Sequence, residues 1–187
     1  NPNPRIMMLT WADPLFDAAA MNMYKQYGAD TIYRMVNVGN WNEIEATQGQ
    51  YNFDKLHQYL QLAKDAGLNA IPNIDCFSAG GSGTFSVPQW FIDQNLDCTM
   101  KYGDGTNSKF LSLAWFIDAY NTNSYGYLTI VNFINTFLNE LNNWNHTNNN
   151  VIGVELPWEL FAGGYYRKFY KGTLDDIQNN PGGVYLA

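Results

Sequence analysis

The sequence predicts an α/β fold built on a parallel sheet, and three observations carry that expectation. Short apolar, β-branched runs alternate with amphipathic stretches at helical spacing, in the order βαβαβ, a long excursion, α, then β. Right-handed crossovers then keep successive strands parallel. The last of these runs ends in an acid: Val151, Ile152 and Val154 suit a strand buried on both faces, Pro157 stops regular pairing, and Glu159 falls just past the C-terminal end. Two architectures fit, an open doubly wound sheet or the first half of an eight-stranded barrel. The absence of a Gly-rich phosphate loop after the first strand weakens a nucleotide site. In a barrel, the C-terminal ends of the strands carry the chemistry. Glu159 equally suits the start of a helix, where a carboxylate meets the positive end of the dipole.

The elements follow in order. Residues 5–10 read as the first strand. Asp13-Pro14 reads as a helix start, with Ala18, Met21 and Tyr24 along the helix and Gly28 as its stop. Residues 31–36 are β-branched and aromatic, a second strand that leads into a polar loop over 37–50. Asn52 or Asp54 caps the next helix, where Leu56, Tyr59, Leu60 and Ala63 repeat on one face and Gly67 ends it. Residues 69–75 form a third strand, against which Pro72 is an objection because it removes a ladder donor. From Cys76 to Ser124 regularity weakens, apart from a short helix start near Val87 to Phe91. A long irregular stretch inside a compact domain is usually functional, and Trp90, Trp115 and Phe116 argue that this one is packed. Ser124 caps a long helix with a stripe of Tyr127, Ile130, Val131, Ile134, Phe137, Leu138 and Leu141, followed by a polar loop over 142–150. Gly163-Gly164 argues against a clean helix after Glu159, and residues 184–187 begin a fifth strand.

Composition bounds the function. The 187 residues are 46% apolar and 14% charged, enough for one domain with a core, and no apolar run reaches membrane-spanning length. A net charge of -7 without a basic block argues against nucleic acid and anionic membranes as partners. The aromatic share is 16%, with six Trp and thirteen Tyr, which suits an aromatic core or a cleft in which flat rings stack on sugar faces. His57 and His146 lie far apart and Cys76 and Cys98 make no metal-ligand spacing, so neither metal nor cofactor is expected. The two cysteines form either a disulfide or two free thiols. Low charge, abundant Asn and Tyr, and the sequon Asn145-His146-Thr147 lean towards an extracellular or cell-surface setting.

The motifs carry a resemblance. Trp41, Ile44-Glu45, Gly49 and Tyr51-Asn52-Phe53 leading into a helix resemble the segment after the second barrel strand of retaining glycoside hydrolases, with Ala46 in place of a Pro and Asn52 in place of an Asp. Residues 62–68, Pro88-Gln89-Trp90 and the run 151–159 continue the match. The resemblance is closest to family 42, the β-galactosidase family, and covers most of residues 5–159. It implies a TIM (β/α)8 barrel of which residues 1–187 are a single domain truncated at its C-terminus: the first four to five β/α units, a partial barrel with a long ordered loop after the third strand. It also implies Glu159 as the general acid/base, and Arg34 on the second strand as support for the carboxylates and the sugar. Trp11, Trp41, Trp90 and Trp158 would line a cleft for a β-linked, galactose-like sugar.

Retaining glycoside cleavage needs a protonated carboxyl at the leaving oxygen and a second carboxylate about 5–5.5 Å away. An apolar wall such as Trp158 and Phe161 would raise the pKa of the acid, and Arg34 would favour an ionised neighbour. Two departures stand out. Trp158 occupies the position of the family's Asn, and an indole donates but does not accept. The family's nucleophile lies on a seventh strand that these residues do not reach, so a second copy or a further chain would complete the barrel. Glu155 is a candidate second acid inside the barrel end. The plain alternatives are a surface salt bridge for Glu45, pairing with Asp75 for Arg34, surface positions for Asp175 and Asp176, and packing for the tryptophans. The alternative function is a non-catalytic extracellular protein that binds glycans or builds a surface assembly on a barrel-derived fold.

Overall fold

The computed structural model describes residues 7–10, 17–35, 38–77, 86–95, 97–101 and 107–155. Trp11, Trp158, Glu159, Phe161, Asp175, Asp176 and the expected fifth strand lie outside the described residues. Strand β1 (Met7–Thr10), helix α1 (Ala18–Gln26) and strand β2 (Thr31–Met35) open the chain. Asp13-Pro14, the expected helix start, lies outside the described residues, and α1 itself begins at Ala18. Asp17 is its cap, in extended conformation, and its carboxylate accepts from the Ala20 N–H at 2.7 Å. Within the segment expected to be plain loop lies one helical turn, α2 (Trp41–Ile44). Helix α3 (Asp54–Asp65) buries Leu56, Tyr59, Leu60 and Ala63, the four residues of the predicted stripe, and stops before Gly67, which has a φ of 68°.

Strand β3 (Asn69–Ile71) is shorter than predicted because Pro72 interrupts it. Its order with the others is β1-β2-β3, all parallel, with Ile32 opposite both Met8 and Ala70. The β1–β2 register shifts by one after Leu9↔Tyr33, to Thr10↔Met35, so Arg34 is the extra residue of a bulge. Beyond Pro72 the strand carries on only as isolated bridges, Asn40↔Asp75 on one side and Asn73↔Glu155 on the other. The segment 151–155 joins β3 in parallel through Ala70↔Val151 and Asn73↔Glu155, in the place of the expected fourth strand. It is not buried on both faces among the described residues, for Ile152 is 44% exposed.

The stretch from Cys76 to Ser124 is more regular than its sequence suggests. It holds helix α4 (Gln89–Gln94), an antiparallel hairpin of β4 (Thr99–Lys101) and β5 (Asn107–Leu111), and helix α5 (Leu113–Asn121). Ser112 caps α5 by accepting from the Trp115 N–H. Helix α6 (Tyr125–Asn148) is capped by Ser124 as expected, but it runs through most of the predicted loop to a left-handed Asn149. Its buried face is Gly126, Ile130, Phe133, Phe137 and Leu141, whereas the predicted stripe residue Leu138 is 39% exposed. Gly126 is required there, since a Cβ would meet the Asn95 side chain and the Trp115 ring.

Helices α1, α3 and α6 cover one side of the sheet, where Met21, Tyr24, Leu60, Ala63, Phe133 and Phe137 join Ile32, Ala70 and Ile74 in one core. Helix α6 is tied to α3 by His57 Nε2 to Glu140 Oε1 at 2.7 Å, with the His57 ring stacked on Trp144 at 5.3 Å. The asparagine cluster after α6 makes the turn into segment 151–155. The Asn145 amide donates to Val151 O at 3.0 Å and accepts from Val151 N at 2.9 Å. Asn150 accepts from Trp144 Nε1 and donates to Leu60 O. The sequon asparagine is therefore committed to the fold, and it gives no support to an extracellular setting. Cys76 and Cys98 are buried free thiols.

Replacing Asn145 with Ala strands both polar groups of Val151 beside the sheet, which is expected to lower stability by about 1–3 kcal/mol. Urea unfolding with an unchanged slope would show it.

Candidate active site

Successive residues of a strand face opposite sides of the sheet. Ile32, Ala70 and Ile74 face the helices and are at most 1% exposed. Tyr33, Ile71 and Asn73 take the other face, and Gly153 lies against Ile71 there. Two polar residues close this face at the C-terminal end of the sheet. Glu155 is 9% exposed, and the Tyr33 hydroxyl donates to its Oε1 at 3.0 Å. Asp75, 8% exposed, accepts from Ser86 Oγ at 2.9 Å and from the Phe77 N–H at 3.3 Å. Gly39 lets β2's continuation run against Asn73, because any Cβ at 39 would collide with the Asn73 carbonyl.

The loop above this end is organised by Glu45, which is only 3% exposed and is no surface salt bridge. Its carboxylate accepts from Trp41 Nε1 at 2.6 Å and from the Gly49 N–H at 2.8 Å, and its backbone carbonyl accepts from Trp90 Nε1 at 2.8 Å. One acid thus holds the loop after β2 to helix α4, which follows β3. Burial, and then the Glu45 charge, push the Tyr51 hydroxyl above its ordinary pKa. The sequence showed Glu45 in a motif but not its partners. The available signal was Trp41 four residues before it and Gly49 four residues after.

Trp41 corrects the expectation of a sugar platform. It is fully buried, stacked on Phe133 at 5.2 Å and packed on Phe91 at 4.8 Å and Trp90 at 5.7 Å, so its faces are occupied by protein. Trp90 is partly buried and anchored through its indole N–H. Of Arg34 the backbone alone is described, at the β1–β2 bulge. The structure therefore brings together Tyr33, Asn73, Asp75 and Glu155, of which only Glu155 was singled out as a site acid. Among the described residues no group of three His, Cys, Asp or Glu could hold a metal. None of the described helices is long and apolar enough to cross a membrane.

Comparison with known proteins adds the decisive observation. Residues 11–159 match the profile of the glycoside hydrolase 42 β-galactosidase family. The chain belongs to that family. Family 42 membership places the chain among the glycoside hydrolases and agrees with the motifs around Trp41 and Val151. The catalytic domain of a β-amylase from Paenibacillus polymyxa matches with 18% identity over 81% of this chain and 36% of its own, at a TM-score of 0.58, which shows a shared fold. The cold-adapted β-galactosidase of Rahnella sp. R3 matches at 16% identity over 73% of this chain and 18% of its own, with a TM-score of 0.49. The β-galactosidase of the psychrophilic Marinomonas ef1 matches at 15% over 63% and 18%, with a TM-score of 0.44. A search of curated protein sequences gave no match. The chain spans between 18% and 36% of the lengths of these solved chains. Its parallel strands and covering helices are part of a TIM-barrel-like α/β fold.

The two buried thiols, of which Cys76 adjoins Asp75, are poor nucleophiles. Burial, and then the neighbouring Asp75 charge, hold Cys76 well above the ordinary thiol range, and burial pushes Cys98 up to about 11 from 9.0. A pKa raised by folding stabilises the folded chain below the unfolded value. That contribution is lost as the pH rises from about 9 through about 11 for Cys98. Stability is therefore expected to fall across that interval, less steeply in Cys98→Ala. Iodoacetamide at pH 8 should label the thiols only after unfolding.

Proposed function

We propose that the chain carries the acid/base side of a retaining glycoside hydrolase site for β-linked, galactose-like sugars. Glu159 is the general acid/base, protonating the leaving oxygen and then activating water. Arg34 binds sugar and keeps the partner carboxylate ionised. Trp90, Trp158 and Trp11 line the cleft, while Trp41 backs it from the core. The nucleophile is a carboxylate outside these residues, from further chain or a second copy. Low charge and abundant Asn and Tyr support an extracellular or cell-surface setting.

The observation that carries the reading is the docking of segment 151–155. It runs parallel to β3 and delivers Glu155 to the C-terminal end of the sheet, four residues before Glu159. Family 42 membership supports the reaction class, and barrel enzymes work at that end of their strands. The bulge at Arg34 supports its role, because bulges recur beside active sites, where they re-aim a side chain. Trp158 favours a second reading, a non-catalytic glycan-binding or surface-assembly protein, since the indole replaces an amide that accepts and donates.

Hydrolysis of nitrophenyl β-galactosides by the native protein, with the further chain or second copy that supplies the nucleophile present, separates the two. Loss of general acid/base catalysis in Glu159→Gln is expected to lower kcat by about 10²–10⁴-fold. Measurable sugar binding with no turnover in the wild type would favour the second reading.

A further inference from the structure

The attachment of segment 151–155 to the sheet is incomplete in its backbone. The Ala70 N–H donates to Asn150 O and the Ile152 N–H donates to Ala70 O, as a parallel ladder requires. The next donor on β3 would be residue 72, which is proline and has none. Bonding resumes only with the Glu155 N–H to Pro72 O at 2.9 Å and the Ile74 N–H to Glu155 O at 3.0 Å. Between the bridges Ala70↔Val151 and Asn73↔Glu155, one strand advances three residues and the other four. The backbone alone therefore specifies the register weakly here, and a slip by one residue would turn every later side chain to the opposite face.

Among the described residues, a side-chain bond crosses to the far end of this gap. Tyr33 on β2 reaches across β3 to the carboxylate of Glu155, linking residues 122 apart in sequence. Glu155 is 9% exposed, on the face away from the helices, and a hydrogen bond to a buried carboxylate is stronger than one between neutral groups. Tyr33 also precedes Arg34 at the β1–β2 bulge, and Glu155 lies four residues before Glu159.

We infer that Tyr33 and Glu155 are positioning residues: their hydrogen bond fixes the register in which segment 151–155 joins the sheet, and so the reach of Glu159. The catalytic consequence rests on Glu159 as acid/base, whereas the register does not. Tyr33→Phe keeps the ring and removes only the donor. Glu155→Gln keeps an accepting oxygen, and Glu155→Leu removes it.

Two measurements on the full native chain test this. Hydrogen exchange at the Ile152 and Glu155 amides should speed up at least tenfold in Tyr33→Phe and Glu155→Leu. It should stay near wild type in Glu155→Gln, with the β1–β2 amides unchanged throughout. On a nitrophenyl β-galactoside, kcat per folded molecule should fall by about 10–100-fold in the first two variants, with KM within about twofold and rescue by Gln. The double variant Tyr33→Phe/Glu155→Leu should be no worse than the worse single one. Unchanged exchange in Tyr33→Phe overturns the register lock. Faster exchange with unchanged kcat overturns the positioning role, since a merely structural bond would lower the urea midpoint without touching turnover. Full activity in Glu159→Gln instead overturns the acid/base assignment and leaves the exchange result to decide the register.

Discussion

Pro72 is the constraint on which the sheet depends. It sits where β3 must pass pairing on to segment 151–155, and it brings no N–H to that edge. The fold answers with side chains. The Asn145 amide takes both polar groups of Val151, Asn150 ties the segment's start to Leu60 and Trp144, and Tyr33 meets Glu155 at the far end. Asn145 and Asn150 anchor the start of the segment from outside the β3 ladder, and Tyr33 anchors its end. These bonds also explain why so many asparagines gather at residues 142–150, a composition that by itself suggests only a loop.

The second dependence is electrostatic. Glu45 lies nearly out of contact with water, yet its oxygens face indole and backbone donors rather than a cation. A buried carboxylate is tolerated when several hydrogen bonds replace its hydration. Because Trp90 bonds to the same residue's carbonyl, Glu45 joins residues of the loop after β2 to helix α4. The aromatic cluster beside it, Trp41, Phe91 and Phe133, belongs to the core.

What was legible in the sequence follows from how local each signal is. The stripe Leu56, Tyr59, Leu60, Ala63 with Gly67 behind it fixed α3, because period and stop agree within one window. The parallel order of β1 to β3 followed from alternation and handedness. The end of α6 was hidden because residues 142–148 are mostly polar; they remain helical through side-chain bonds that no periodicity shows, Asn148 to Trp144 O one turn back and Trp144 and Asn145 to Asn150 and Val151 just past the helix end. The β4–β5 hairpin was hidden in the same way, since Leu111 and Ser112 pair with Phe77 and Cys98 across the chain. At the site, Glu155 was visible as an acid at a strand end. Tyr33 was not visible as its donor, because 122 residues separate them.

That separation bears on how the molecule forms. The Asn150 bond to Leu60 O closes a span of 90 residues, and β1, β2 and β3 leave the ribosome long before it. At about 5–20 residues per second, the third strand waits roughly 5–20 s for its neighbour. During that time its outer edge stays open, and pairing this distant in sequence is slow to nucleate. Pro72, which weakens the finished joint, also blunts that waiting edge, because a strand without a donor is a poor template for a foreign one.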